Sequence, residues 1–280
     1  MTLHQVKANT QPFASVIIRT QGQRMTTLCQ AIESLILQES KNFELIVVAH
    51  CVNEIMLAQI TDLLAKSKIR LGTETSLVEC KAGDRGQPLN VGIDNAIGNY
   101  VVCLDDDDIA LPNWISTYEK YAASSPNSVL RAQTGDFDAD EQLPAQPWSI
   151  TFPYRATFNF IEHLVGNSSP LMSLAFPLDK LNELNLRFDP DLPVLEDWDF
   201  LMRSTMHLKV ISIPTITSLY RKWPIREKSS YMHSDEVWIS TEQRIIEKLD
   251  SGFISLPPGS VRHIRSIFEG LNLAKVLLKS

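Results

Sequence analysis

The chain has 280 residues, 44% of them hydrophobic and 21% charged, which is the composition of a soluble globular protein with one large domain or two small ones. A net charge of −7 and the lack of any strongly basic stretch argue against nucleic-acid binding through phosphate neutralisation. The four cysteines (Cys29, Cys51, Cys80, Cys103) form no CxxC pair, so no zinc site or disulfide framework is suggested, and no window approaches the about 18 apolar residues that span a bilayer.

Residues 1–12 read as a polar tail without the apolar region of a signal peptide, which predicts a cytoplasmic protein, at most peripheral to the inner face of a membrane. From Ala14 the pattern alternates. Ala14 to Ile18 reads as a strand, and Arg24 to Leu37 as a helix with Leu28, Ile32, Leu35 and Ile36 on one face. Glu44 to Ala49 is nearly all apolar, as a strand covered on both faces should be. Asn53 to Ser67 reads as a helix, Ser76 to Cys80 as a weaker strand, and Pro88 to Ile97 as a third helix stopped by Gly98. Tyr100 to Cys103 is a further buried strand, and Pro112 opens a helix to about Ala123. Alternation of this kind predicts an α/β fold whose sheet is mostly parallel and flanked by helices. Ligands in such sheets bind outside the carboxyl ends of the strands, so the loops Arg19 to Arg24, His50 to Asn53 and Asp105 to Asp108 should meet at one edge.

Beyond Pro126 the pattern becomes irregular and rich in proline and aromatics as far as Pro177, which suits either a substrate face or sheet-edge packing. Glu196 to Met206 reads as a helix, Val210 to Ile213 as a strand, Trp223 to Ser230 as a polar loop, and His233 to Leu249 and Gly259 to Leu278 as helices. The stretch Ser251 to Gly259, with Pro257-Pro258, reads as the linker between those two helices. The last helix carries Ile264, Ile267, Phe268, Leu271 and Leu278 on one face, with Arg262, Arg265, Lys275 and Lys279 supplying most of its charge. That face suits packing on the catalytic domain, a second subunit in a homodimer, or an anionic membrane surface.

Two carboxylate clusters carry the chemistry. The run Leu104-Asp105-Asp106-Asp107-Asp108 follows a buried strand. If the backbone stays extended, Asp105 and Asp107 face one side and can hold Mg²⁺ or Mn²⁺ together with a substrate's phosphates; a solvated acidic turn is the other reading. Leu195-Glu196-Asp197-Trp198-Asp199 crowds acids at a helix start, where they either cap the helix or expose a general base.

Taken in order, the motifs resemble the family 2 glycosyltransferases, inverting enzymes of the GT-A fold. The resemblance is carried by Ser15 to Thr20, Phe43 to Val48, Arg85-Gly86-Gln87-Pro88-Leu89-Asn90 with Ala96 to Tyr100, the acidic run with Pro112, Arg187-Phe188-Asp189 with Leu195 to Asp199 and Arg203, and Leu219-Tyr220-Arg221. It covers residues 13 to 225. It implies a GT-A domain over residues 13–232, with a nucleotide-sugar half to about 125 and an acceptor half after it, followed by a C-terminal helical extension from 233. The implied reaction is metal-dependent transfer of a sugar from a nucleotide-diphospho-sugar to a hydroxyl of a carbohydrate or lipid-linked acceptor, in polysaccharide or glycoconjugate synthesis. Asp107, with Asp105 nearby, would hold Mn²⁺ or Mg²⁺; Asp105 or Asp106 would reach the ribose or sugar. Asp197 would act as the base, with Glu196 orienting it or the acceptor. Arg19, Thr20, His50, Arg85, Asn90 and Arg221 would line the donor site, with a structural salt bridge the other reading of Arg85 and Arg221; Trp198, beside the base, either stacks on an acceptor sugar or belongs to the core, and His233 either completes a metal shell or opens a helix. One departure stands out: where the family's second strand usually ends in two acidic residues, this chain has Ala49 and His50, which leaves UDP, dTDP and GDP sugars all open. The competing functions are a catalytically silent nucleotide-sugar-binding protein and another metal-dependent phosphate-transfer enzyme, separated from transfer by the product formed.

Overall fold

A computed structural model describes residues 11–138, 150–223, 233–252, 256 and 259–277. In chain order the strands are β1 (Ala14–Thr20), β2 (Phe43–His50), β3 (Thr75–Cys80), β4 (Tyr100–Cys103), β5 (Ile109–Ala110), β6 (Val129–Asp138), β7 (Ile150–Thr151), β8 (Leu174–Pro177) and β9 (Val210–Lys222). The helices are α1 (Met25–Ile36), α2 (Glu54–Leu71), α3 (Gly86–Asp94), α4 (Trp114–Ser124), α5 (Phe160–His163), α6 (Leu178–Glu183), α7 (Glu196–Thr205), α8 (Asp235–Asp250) and α9 (Ser260–Leu277). The expected alternation is present, and one sheet runs β3-β2-β1-β4-β8-β6-β9-β5, with β7 on the side of β6.

The first four strands of that order are parallel, in register Ala14↔Phe43 and Ala14↔Tyr100. Every residue of β2 and β4 is buried, because α1 and α2 cover one face of this half and α3 the other. Local signals set the helices. Asn53 caps α2 through its side chain, which accepts from the Met56 backbone at 2.8 Å, and Gly72 ends it in the left-handed region. Helix α3 lies so close to β1 that a Cβ at Gly92 would meet the buried Ile17 side chain at 2.5 Å. The second half of the sheet is mixed: β8 is antiparallel to both β4 and β6, while β6 and β9 pair in parallel across a bulge.

Two expectations need correcting here. The stretch read as irregular, Pro126 to Pro177, contains β6 in the middle of the sheet as well as β8, and the strand expected at Val210 to Ile213 continues to Lys222. Helix α8 packs Ile245 and Leu249 against Trp198, Met202, Leu192 and Phe160. Within that proline- and aromatic-rich stretch, Pro144 to Trp148 lies outside the described residues, as does most of the Trp223 to Ser230 loop.

Candidate active site

The carboxyl ends of β1 and β4 meet the start of α7. The acidic run is not extended: it turns, with the Asp108 N–H donating to the Asp105 carbonyl at 3.2 Å, so strand alternation does not bring Asp105 and Asp107 together. Each carboxylate instead has its own partner. Asp105 takes Arg19 Nε at 3.1 Å, and Asp106 takes the Thr20 hydroxyl at 2.5 Å. Asp107 takes Arg24 Nη1 at 2.9 Å and Trp223 Nε1 at 2.7 Å, and Asp108, fully buried, takes the Arg221 N–H at 2.8 Å. The carboxylates of the turn are nonetheless held up by burial and by one another. Burial, then repulsion from Asp107 and Asp105, pushes Asp106 up to about 7 against the help of Thr20. Burial and Asp105 also raise Asp107, and burial with Asp107 and Asp105 raises Asp108.

Glu196 sits at the first position of α7 and is 2% exposed. Its Oε1 accepts from Arg19 Nη1 at 2.6 Å and from Arg85 Nε at 3.0 Å, while Arg19 Nη1 also donates to the Arg85 carbonyl at 2.7 Å. Burial pushes the Glu196 carboxyl up, but the two guanidinium groups overcome this and leave it at about 2. One carboxylate thus ties β1, the start of α3 and α7 together. Leu195, just before it, is held at φ 60°, a conformation that costs a side chain about 1–2 kcal/mol and fixes how α7 starts.

Asp197 is the other half of the pair. Burial, then repulsion from Glu196, lifts it to about 6. Its Oδ1 accepts from the Trp198 N–H at 2.8 Å and its Oδ2 from Asn167 Nδ2 at 3.0 Å. A cavity of about 210 Å³ brings Asp197 together with Arg19, Arg85, Asp105, Tyr154, Asn167, Tyr220 and Trp238. It is smaller than the roughly 300–1,000 Å³ of pockets for drug-sized ligands.

Several expected site residues turn out to be committed elsewhere. Trp198 is 1% exposed, its ring packs with α8, and its Nε1 donates to the His163 carbonyl at 2.7 Å; it is not placed to stack on an acceptor sugar. Asn90 is buried, with its side chain bonded to both the N–H and the carbonyl of Phe188, so it holds the approach to α7 in place. Arg221 is buried against Phe137 and Trp223, donating to the Asp107 carbonyl at 2.6 Å and to Gln30 at 2.6 Å; it clamps the acidic turn. His50 ends β2, with Nε2 at 2.9 Å from the Gly83 carbonyl. A carbonyl only accepts, so Nε2 carries a proton. His233 lies just before α8, and among the described residues no three His, Cys, Asp or Glu side chains converge as a metal site. Sequence reasoning missed Asn167, Arg24 and Trp223, since single polar or aromatic residues in loops and strand ends carry no periodic signal; of the cavity tyrosines, Tyr220 lies in a motif and Tyr154 in the proline- and aromatic-rich stretch that suits a substrate face.

The glycosyl transferase family 2 model matches residues 15–176, more than half of the chain. The chain belongs to glycosyl transferase family 2. A relative, the uncharacterized glycosyltransferase MJ1057 of Methanocaldococcus jannaschii, is 27% identical over 199 residues, or 69% of this chain; the chain spans 64% of that relative's length. Among solved structures, S. aureus TarS 1-349 in complex with UDP-GlcNAc superposes with a TM-score of 0.61 at 18% identity, covering 84% of this chain and 70% of that one. The mannosyltransferase PcManGT from Pyrobaculum calidifontis, in complex with GDP-Man and Mn²⁺, gives 0.63 at 15% identity over 89% of this chain and 67% of its own. At these identities the structures speak for the fold, which is the GT-A fold of the family 2 glycosyltransferases.

Proposed function

We propose that this glycosyltransferase moves a sugar from a nucleoside-diphospho-sugar to an acceptor hydroxyl with inversion, using Asp197 as the base. The observation that carries the reading is a single cavity lined by both Asp197 and Asp105, with Arg19 joining Asp105 to Glu196. The chemistry has two demands: charge builds on the leaving diphosphate, and the acceptor hydroxyl must lose a proton. For the second, Asp197 is suited, because a base works best when its pKa lies near the working pH and about 6 is close to it. A base on the face opposite the leaving group inverts the anomeric centre and needs no covalent intermediate.

For the first demand, the acidic turn fits a divalent cation. Its donors are hard oxygens, and burial and mutual repulsion hold Asp106 and Asp107 above the ordinary carboxylate range, a charge deficit that a cation relieves. Asp107 and Asp105 would hold it, the remaining positions being left to water and phosphate. When bound, the cation acts as a Lewis acid on the diphosphate oxygens. Arg24 and Arg85, which are partly exposed, add positive charge beside that position. His50 would face the base. With Nε2 donating to Gly83, a neutral ring offers Nδ1 as an acceptor, which suits the ring N–H of uracil, thymine or guanine rather than the unprotonated N3 of cytosine.

A thermal-shift screen against UDP, dTDP, GDP and CMP, each with and without Mn²⁺, tests the reading. The expected result is a Mn²⁺-dependent shift with at least one of the first three and little with CMP. Asp107→Ala should abolish that dependence, because it removes a charged ligand. Affinity that is independent of Mn²⁺ in the wild type, or unchanged in Asp107→Ala, overturns the metal assignment. Binding without any transfer would instead favour a silent nucleotide-sugar-binding protein.

A further inference from the structure

The Asp197 carboxylate ends a chain of hydrogen bonds whose direction has one solution. His163 Nδ1 lies 2.9 Å from the Asn159 carbonyl, which can only accept, so Nδ1 carries the hydrogen. Burial holds His163 down to about 4, so the ring is neutral and its Nε2 accepts from the Ser169 hydroxyl at 2.8 Å. Ser169 Oγ in turn accepts from Arg131 Nε at 2.7 Å. The Ser169 N–H donates to Asn167 Oδ1 at 3.1 Å. The Asn167 oxygen is therefore taken, and its NH₂ faces Asp197 Oδ2 at 3.0 Å.

Arg131 explains why this loop stays in place. It is 1% exposed, and among the described residues no carboxylate pairs with it. A buried lone guanidinium is costly unless its hydrogens are used, and here they are: Nη1 donates to the Arg155 carbonyl at 2.6 Å and Nη2 to the Ser168 carbonyl at 3.1 Å. Residues 155, 168 and 169 are thus pinned to β6, and Asn167 with them. The same segment grips α7 from the other side, through the Trp198 indole on the His163 carbonyl.

We propose that Asn167 is the positioning residue of the base, its amide fixing the Asp197 carboxylate and favouring the charged form that takes the proton. The proposal rests on the reading of Asp197 as the base. The titratable and charged groups that share the cavity with Asp197 are Glu196 of its own helix, Arg19 at the end of β1, Arg85 before α3, Asp105 after β4, Tyr154, and Tyr220 of β9. None of these is altered in the test.

The test follows the Asp197 carboxyl carbon by ¹³C NMR in the free protein, its signal being the one that Asp197→Asn removes. Asn167→Ala should raise the titration midpoint by about one pH unit, the scale of one hydrogen bond to a charged oxygen. Asn167→Asp keeps the acceptor for Ser169 but turns a carboxylate toward Asp197, so it should raise the midpoint further. A merely structural Asn167 would leave the midpoint in place in a folded Asn167→Ala, which removes the amide and adds no charge. With UDP-GlcNAc or GDP-Man and Mn²⁺, the acid limb of kcat for donor hydrolysis should move in the same order, with the donor KM unchanged. An unmoved midpoint in Asn167→Ala overturns the proposal, with the rise in Asn167→Asp showing that the signal responds to this position. If instead Asp197→Asn hydrolyses donor at the wild-type rate, the reading of Asp197 as base fails, whatever the midpoints do.

Discussion

Glu196 and Asp197 are adjacent carboxylates in opposite environments. Both start one helix, Glu196 buried and Asp197 half-buried, yet Glu196 has two guanidinium groups against one oxygen and Asp197 has an amide and an N–H. Their titrations are driven apart, to about 2 and about 6, the pattern that separates a structural anion from a proton acceptor. The signs follow for stability. The contribution of Glu196 is present above its unfolded value and is lost as pH falls through about 2. Asp197 is raised, so its favourable contribution is present below its unfolded value and is lost as pH rises through about 6. Asp197→Asn should therefore raise Tm above that pH, by about 2–4 °C for each kcal/mol gained, while lowering transfer by about 10²–10⁴-fold. Calorimetry and a donor-consumption assay on the same sample check both; a variant with a lower Tm or near-normal turnover contradicts the assignment. Glu196→Gln should do the reverse to stability and cost about 3–5 kcal/mol, since it leaves Arg19 and Arg85 facing each other without their anion. A melt within 1 kcal/mol of wild type would show that the clamp is not formed. The two acidic clusters were legible in the sequence because charge crowding is a local property. The partners were not. Of the two readings open for Trp198, acceptor platform and core, the core reading holds: a neighbour in sequence on a helix points about 100° away, here into the α8 contact.

Strand β6 shows why part of the fold was hidden at the scale of elements. Its sequence, Val129 to Asp138, has no clean alternation, because its polar residues are buried and used rather than solvated. Arg131 holds the loop that carries Asn167, Thr134 shares a hydrogen bond with Ser218 at 2.7 Å, and Asp136 pairs with Lys222. A pattern that assumes polar means outward cannot find such a strand. The parallel half was legible for the opposite reason: β1, β2 and β4 each carry an unbroken apolar run, and α2 is capped at both ends. The close seat of α3 on β1 gives a direct test. Gly92→Ala places a methyl 2.5 Å from Ile17 Cγ2, a β-branched group buried in the sheet that cannot swing aside. The expected cost is about 1–3 kcal/mol in a denaturant melt, with donor affinity falling as well, because α3 carries Arg85 to Glu196. Loss of stability with unchanged donor binding would show that the site tolerates movement of α3.

The C-terminal helices differ in how they belong to the whole molecule. Helix α8 is part of the core, through Ile245 and Leu249 and through Lys248, which pairs with both Asp189 and Asp199. Helix α9 touches α5, with His263 on Asn159 at 3.0 Å, and leaves Val261 and Ile267 exposed. No helix of the described residues is long and apolar enough to cross a membrane. Truncation before Asp235 should expose Trp198 and Met202 and give an insoluble chain. Truncation after Gly252 should leave a folded protein that still binds donor. Co-sedimentation of intact and shortened forms with anionic liposomes then shows whether α9 meets a membrane, and no binding by the intact chain ends that idea.

The Glu196 clamp also dictates an order of assembly. Arg19 and Arg85 leave the ribosome long before the acid that joins them, which lies 177 and 111 residues further on. The first four parallel strands can pair by Cys103, but until Glu196 arrives Arg85 has no acid among its described ion pairs, and the two cations repel. A nascent or interrupted chain that ends before Glu196 is therefore a sheet without a working pocket, and it should not bind donor.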